Sequence, residues 1–399
     1  MDCEVVIVGA GPAGAVAAWE LARRGRHVIL ADRARFPRPK PCGGGLTRKT
    51  MQCLGLNPGD LEAIACEGVV FFHDGAMPRA VRVRHGGVFV HRDVLDDFLV
   101  RRAVAAGAQF VPACAIADVA QDARGVTVAG PKCRWRAAVA IGADGALSRV
   151  ARALGLRRRA RFAFGVTAFA AGAETASTDN MMLFDLDAVP AGYGWIFPCP
   201  GGLNFGLYSL RPRLPDLQRR LRRFAARYPV TAALTPAAIR GVGAPVPIGG
   251  RHEPLDCGRV VLVGDAAGLV DPFLGEGIYN AVLSARVAAE VVDDFLHGHA
   301  PDLRRYTRRV RQEIVMPLAE ALDFARLYHL APQLAYALTL TPPGARGWCV
   351  RMVMLGEPYR SLLPRLPGNI LAGFGHGLRL FLSGGPHVPR GYRPARWRR

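Results

Sequence analysis

A chain of 399 residues, half of them hydrophobic and 21% charged, is long enough for two or three packed units and too apolar to be disordered. Basic side chains outnumber acidic ones by 52 to 32, a net charge of +20, and all but Lys40, Lys49 and Lys132 are arginines. The excess favours an anionic partner such as a phosphate or a membrane surface. With no zinc-finger, helix-turn-helix or RNA-binding signature, nucleic acid is not expected.

The nine cysteines are scattered and form no C-x-x-C pair. That speaks against a metal site or a thioredoxin-like motif and leads to the expectation of free thiols in a reducing cytoplasm. Asp2 and Glu4 sit where an export signal would carry positive charge, and no run of about 18 uncharged apolar residues offers a spanning helix.

The first element, CEVVIVGAGPAGAVAAWELARRGRHVILAD (3–32), reads as strand, tight turn, helix, strand. Val5 to Val8 is a continuous apolar run, the mark of a parallel strand buried on both faces. Gly9, Gly11 and Gly14 give the G-x-G-x-x-G spacing: one glycine for the turn, one for backbone approach to a pyrophosphate, one for close helix–strand packing. Asp32, ending the second strand, accepts hydrogen bonds from ribose hydroxyls in such a unit. The motif alone does not separate FAD from NAD.

RPKPCGGGLTRKT (38–50) follows, with Cys42 against Gly43, Gly44 and Gly45. Glycine runs fill no space and lose much backbone entropy on folding, so this is either a solvated turn or a place where a bulky planar group lies on bare backbone. HRDVLDDFLVRRAVAAGA (91–108) is helical, and VAIGADGALSRVARALG (139–155) is a strand leading to Asp144-Gly145 and a helix. Short alternating runs in 69–90 and 157–256 suit a mostly antiparallel sheet. Within them GYGWIFPCPGGLNFGLY (192–208) alternates Tyr193, Trp195 and Phe197 with Gly194 and Ile196, putting three aromatics on one strand face. That face is either ordinary core or an apolar wall for a ligand. Residues 216–229 form a basic amphipathic helix.

GRVVLVGDAAGLVDPFLGEGIYNAVLSARVAAEVV (258–292) repeats the strand-to-glycine-to-helix pattern with Gly264-Asp265, Pro272, Gly275-Glu276-Gly277 and a helix from about Ile278. Three such units meeting at one sheet edge suit a long ligand held at several points. From about 300 onward the spacing is helical, and the tail to 399 is rich in arginine, proline and aromatics. These basic stretches lead to the expectation of peripheral contact with the inner face of a membrane.

This combination resembles the FAD-containing reductases and hydroxylases of the glutathione-reductase-type fold, and GDAAGLVDPFLGEGIYNA is similar to their second flavin motif. Within that group PCGGGL and the Y-x-W-x-F-P pattern, supplied here by Tyr193, Trp195, Phe197 and Pro198 and followed by Gly206, resemble the geranylgeranyl reductase family. The second glycine of that pattern is Tyr208 here. The resemblance implies an α/β fold: a three-layer Rossmann-like FAD-binding domain (1–68, 91–156 and 257–300), an inserted mostly antiparallel β-sheet substrate domain (69–90 and 157–256) and a C-terminal helical region with a basic tail (301–399).

It further implies bound FAD, contacted by Gly9, Gly11, Ala13, Gly14, Asp32, Arg33, Cys42, Gly43, Gly44, Gly45, Arg92, Asp144, Gly145, Gly264, Asp265, Pro272, Gly275, Gly277 and Ile278. Asp265 would hold the ribityl hydroxyls, and the helix after Gly277 would point its positive end at the flavin pyrimidine. Tyr193, Trp195, Phe197, Pro198 and Gly206 would line a channel for an isoprenoid lipid, and the glycines at 43–45 would make room for the ring. The implied activity is hydrogenation of isolated double bonds, hydride coming from the flavin and a proton from Cys42, Tyr193, Glu276 or water. No second dinucleotide turn occurs, so NADPH, NADH or ferredoxin would reduce the flavin from a transient surface site. An aromatic hydroxylase and a flavin halogenase are the rival enzymes. Ala151 replaces the last arginine of the hydroxylase pattern D-G-x-x-S-x-x-R, and only Trp195 remains of the halogenase W-x-W-x-I-P. A non-catalytic lipid carrier retaining FAD is the rival outside enzymes.

Overall fold

The computed structural model describes residues 1–73, 78–156, 160–211, 214–235, 239–249, 253–340 and 343–361. The expected tail beyond 361 lies outside them. Five strands of the first sheet run parallel, in the order Val260–Leu262, Cys133–Gly142, Cys3–Val8, Val28–Ala31 and Gln109–Val111. Val5, Val6, Ile7, Val139, Ile141, Val260 and Val261 are wholly buried, as β-branched residues in a covered parallel sheet should be. The helices Pro12–Ala22, Arg92–Ala105 and Ile278–Leu296 pack together as one layer of that core. An antiparallel hairpin, Asp118–Gln121 and Val126–Gly130, extends the sheet from the first half of Cys133–Gly142.

Seven strands make the second sheet, in the order Val242–Ile248, Arg161–Ala171, Gly202–Ser209, Gly192–Cys199, Met181–Asp185, Gly68–Phe72 and Arg79–Arg82. Only the pairing of Met181–Asp185 with Gly68–Phe72 is parallel. Gly87–Val90 does not join it, although 69–90 reads as one segment. That strand pairs instead with Gly45–Thr47 and Ala63–Ala65 in a small third sheet. The basic helix Leu217–Ala226 buries Leu221, Phe224 and Ala225 against the seven-stranded sheet and turns Arg219, Arg222 and Arg223 outward. Its apolar face is therefore spent on the protein's own core.

The C-terminal helices Met316–Leu330, Pro332–Leu340 and Pro343–Leu355 close over the aromatic side of this sheet. Tyr336, Leu340, the fully buried Trp348, Met352 and Val353 share one cluster with Phe71, Phe184, Trp195 and Phe197. Tyr306, also fully buried, donates to the Leu262 carbonyl at 2.5 Å and so ties the preceding helix, Arg304–Val310, to the parallel sheet.

One expectation fails. Cys114 and Cys133 form a disulfide. The chain at 114–117 runs antiparallel to 129–133, with Ala117 N–H donating to the Ala129 carbonyl at 2.8 Å, and this brings together two residues that sequence spacing alone leaves unrelated. The other seven cysteines are free. Alkylation of the unfolded, unreduced protein should label seven thiols, rising to all nine after reduction; nine labels without reductant would show that the pair is open.

Candidate active site

Four chain segments leave the parallel sheet at its carboxyl edge side by side: Gly9 after Val8, Asp32 after Ala31, Asp144 after Gly142 and Gly264 after Leu262. They border a cavity of about 3070 Å³, open mouth included, that runs on to the aromatic strand Gly192–Cys199. Gly9 turns the chain at φ +102°, where a Cβ would lie 2.4 Å from the Ala143 carbonyl oxygen. Gly14 lets the helix sit on the strand, since a Cβ there would meet the Gly9 oxygen at 1.8 Å. At Gly11 the direction of a side chain is open apart from Arg38 at 3.8 Å, and the helix starting there has no side-chain cap. Free N–H groups at a helix start beside open backbone are what a pyrophosphate requires.

Asp32 is aimed by two backbone N–H groups, from Ala10 at 2.7 Å and Ala34 at 2.8 Å, and still borders the cavity. Asp144 caps its helix, accepting from Ser148 Oγ at 2.5 Å and from the Arg149 and Val150 N–H groups. The helix Ile278–Leu296 begins at Gly277 without a side-chain cap, and Asp265, Gly275, Gly277 and Ile278 border the cavity. These features fit a dinucleotide with a further ring at its far end, as FAD has.

Cys42, half-buried, lies opposite the aromatic strand. Its Sγ accepts from the Gly44 N–H at 3.5 Å. Arg92 is bidentate to Asp96, at 2.9 Å for both contacts, and Arg38 reaches Asp96 at 3.3 Å. Burial alone would lower the Arg92 pKa, but the Asp96 carboxylate more than reverses this, so the guanidinium stays charged. Asp96 is wholly buried; removing a partner of a buried charge costs about 3–5 kcal/mol, so this cluster holds the Cys42 loop firmly.

The three glycines answer to protein first. A Cβ at Gly44, where φ is +74°, would lie 2.3 Å from the Val90 carbonyl. One at Gly43 would meet Phe197 at 3.1 Å and the Trp195 indole nitrogen at 3.3 Å, and one at Gly45 the Met182 methyl at 3.1 Å. The run lets the strand Gly87–Val90 and the aromatic wall close in beneath it, while its backbone borders the cavity.

Tyr193, Trp195 and Phe197 all line the cavity. Tyr193 donates its hydroxyl to the Leu274 carbonyl, and burial drives its pKa far above the usual phenol range, so the proton stays on. Trp195 Nε1 donates to Asn204 Oδ1 at 2.9 Å, and Asn204 Nδ2 donates to the Cys42 carbonyl at 2.8 Å. Glu276 is taken up by Lys49 at 2.5 Å and accepts from Thr47 at 2.8 Å and Thr50 at 3.2 Å. Burial would lower the Lys49 pKa, yet Glu276 outweighs it and holds the ammonium above its ordinary value. Asp271 caps its own loop through the Phe273 and Leu274 N–H groups and accepts from Tyr359 at 3.1 and 2.9 Å. Burial nonetheless raises its pKa.

Five of the expected contact residues stand behind the cavity wall instead of lining it. Gly14 and Gly264 are packing positions, the latter with φ +56° and a Cβ direction 2.9 Å from the Ala13 methyl. Pro272 presents its carbonyl to the Tyr208 hydroxyl at 2.9 Å. Gly206 lies under Trp195, where a Cβ would sit 2.3 Å from the indole, and Pro198 pairs with Leu203 in the sheet. The remaining expected residues, Arg33 and Ala13 among them, border the cavity. Asn204, Lys49, Asp271, Tyr208 and Tyr359 had not been expected.

A second, narrow apolar cavity, about 540 Å³ with its opening and all the space between atoms included, lies between the aromatic strand and the C-terminal helices, bounded by Phe273, Phe324, Tyr328, His329, Leu340 and Met352 among others. It shares Phe184, Tyr193, Leu274 and Val353 with the large cavity.

Residues 2–183 match the family model described as FAD binding domain. The chain is 31% identical to digeranylgeranylglycerophospholipid reductase 2 of Methanopyrus kandleri, over 82% of this chain and 87% of that one. It is 32% identical to geranylgeranyl diphosphate reductase of Rhodobacter capsulatus, over 75% and 78%. A solved structure of a geranylgeranyl bacteriochlorophyll reductase-like protein from Thermoplasma acidophilum shares the fold, with TM-score 0.77, 22% identity and coverage of 91% and 98%.

Two outcomes follow from this geometry. Gly44→Ala combines a left-handed backbone with a carbonyl clash and should cost roughly 3 kcal/mol or more, whereas Gly45→Ala meets only a mobile thioether and should stay within about 1 kcal/mol; denaturant midpoints that rank the two equally would refute the assignment. Burial lowers the His329 pKa from 6.5 to about 4, so between those values the unfolded chain binds a proton that the folded one refuses, and stability falls as pH drops. In His329→Gln the dependence of the thermal midpoint across that window should flatten; an unaltered slope would mean that the folded imidazole is protonated.

Proposed function

The chain belongs to the geranylgeranyl reductase family of FAD-dependent oxidoreductases, and on that premise we propose that it hydrogenates isolated carbon–carbon double bonds in an isoprenoid chain. The observation that carries this reading is the meeting of two cavities. One is bordered by dinucleotide-type loops, the other is mainly aromatic and aliphatic with His329 and Thr339 at one end, and they share Phe184, Tyr193, Leu274 and Val353. The second adds an apolar wall that a small polar aromatic substrate does not need and that the end of a polyprenyl chain can lie against.

In this reading the open Gly11 backbone and the following helix start take the pyrophosphate, and Asp32 takes the adenosine ribose. Asp265 faces the ribityl chain, and the helix start at Gly277–Ile278 stabilises negative charge at the pyrimidine. FAD, when bound, supplies the hydride for one alkene carbon. The other carbon needs a proton, because an isolated alkene has no carbonyl to accept charge. Glu276 is poorly suited to give it, being engaged as an acceptor by Lys49, Thr47 and Thr50. Tyr193 has its proton directed at Leu274. The Cys42 thiol, facing the cavity below Trp195 and Phe197, is the donor we assign, with Arg92 and Asn204 fixing its place. Positive charge building on the substituted carbon is met by the faces of Trp195, Phe197 and Phe184. NADPH, NADH or ferredoxin would restore reduced FAD from the open mouth. Among the described residues no helix is long and apolar enough to cross a membrane.

Anaerobic mixing of the photoreduced holoenzyme with a geranylgeranyl lipid should reoxidise the flavin and add two hydrogens per flavin to the lipid by mass spectrometry. A strict need for oxygen would point to a hydroxylase or halogenase instead. Cys42→Ala should slow that reoxidation by about 100-fold, the usual scale for losing a proton donor, with the flavin spectrum intact; an unchanged rate would remove Cys42 from the role.

A further inference from the structure

The helix Met316–Leu330 ends at Ala331, whose backbone leaves the helical region (φ −140°, ψ 71°), and the chain turns there into Pro332–Leu340. At this corner Leu327, Leu330 and Leu334 are 69%, 81% and 50% exposed. Single exposed leucines are ordinary, but here three large ones fall within eight positions. From Leu327 through Leu340 the sequence contains no Asp, Glu, Lys or Arg, so the exposed leucines have no charged neighbour on the C-terminal side of the corner.

The same corner forms the end wall of the apolar cavity. Tyr328 and His329, which alternate with the exposed leucines, line it together with Thr339 and Leu340. Burial keeps the His329 ring neutral at ordinary pH, so no fixed charge stands between the leucines and the cavity. The nearest charges along the helix are paired: Arg326 with Asp323 at 3.1 Å and Arg360 with Glu320 at 3.8 Å. Arg79 and Arg346 act on Tyr336 of the next helix, and with the net charge of +20 they favour approach to an anionic surface. The basic helix Leu217–Ala226 cannot insert, since its apolar face is buried in the second sheet.

We propose that the Leu327–Leu334 corner is a membrane-docking element that dips its leucines into the surface of an anionic bilayer and places the apolar cavity against the lipid phase. The occupant is an anionic lipid leaflet because an exposed, uncharged apolar patch stands on a strongly cationic chain and adjoins the wall of an apolar cavity. The purpose of such docking rests on the isoprenoid reading, although its detection does not.

The test uses the full-length holoenzyme and vesicles of saturated phosphatidylcholine with about one third phosphatidylglycerol, which hold no reducible double bond, so binding is scored independently of catalysis. Wild-type protein should co-sediment with these vesicles. Leu327→Ser, Leu330→Ser and Leu334→Ser combined should weaken that binding by about tenfold or more, given the apolar area withdrawn, with flavin absorbance and thermal midpoint retained. Because three changes at once could disturb packing, Leu330→Trp gives a second readout. Its added emission should shift to the blue and be quenched by brominated lipid on mixing. Vesicle binding unaffected by the triple substitution, or a Leu330→Trp emission that ignores vesicles, would overturn the proposal. So would a dimer in light scattering that the triple substitution dissociates while vesicle binding persists, since the patch would then be meeting a second copy of the chain.

Discussion

The Asn204 carboxamide joins the two halves of the site. Its oxygen accepts from the Trp195 indole and its amide donates to the Cys42 carbonyl, so the aromatic strand of the second sheet and the loop that follows the first parallel unit are held in one register. Neither contact is strong alone, at about 1 kcal/mol net. Their value lies in direction: with both ends of a short rigid group engaged, the ring faces and the thiol cannot drift independently. The glycines at 43–45 serve the same closeness, since a side chain at any of them would push against Phe197, the Val90 carbonyl or Met182. The cavity has the shape it has because three sheets meet there without side chains in the gap.

Around that junction, charge is confined to paired positions. Asp96 is shared by Arg92 and Arg38, Glu276 by Lys49 and two threonines, and Asp271 by Tyr359 and two backbone amides. Asp96 lies in the helix Arg92–Ala105 and the other two in the loop before Ile278, and each takes at least one partner from another element: Arg38, Lys49 and Tyr359 respectively. Buried acids arranged this way contribute little net stability over an apolar core but fix loop geometry. The aromatic side then carries no charged group of its own, and its polar atoms such as the Tyr193 hydroxyl and Trp195 indole nitrogen are turned to protein acceptors.

Much of this was legible in the chain. The apolar run Val5–Val8 with Gly9, Gly11 and Gly14, the strand ending at Asp32, and the later Gly264-Asp265 unit are local patterns whose physical demands act within a few residues, and the adjacent parallel strands place them at one edge. The alternation of Tyr193, Trp195 and Phe197 similarly foretold a single aromatic face. What local pattern cannot carry is pairing across the chain. Asn204 reads as an ordinary polar strand residue, Lys49 as a surface charge and Tyr359 as part of a remote helical region. Only the fold brings Lys49 to Glu276 and Tyr359 to Asp271. Gly206 and Pro198 show the converse: their motif is local, but their work is to support Trp195 and the sheet from behind. The Cys114–Cys133 bond belongs to the same class of long-range fact.

The Tyr359–Asp271 contact has a consequence for how the two cavities communicate. Asp271 shapes the loop that carries Leu274 and Gly275 into the cofactor cavity, while Tyr359 follows directly on the helix that walls the hydrocarbon cavity. On the proposed reading, a guest that steadied one wall would favour the other through this contact, and by reciprocity of linked equilibria the effect would run equally in both directions. Cofactor retention and occupancy of the apolar cavity would then be two readings of one mechanical state, joined through a phenol and a carboxylate.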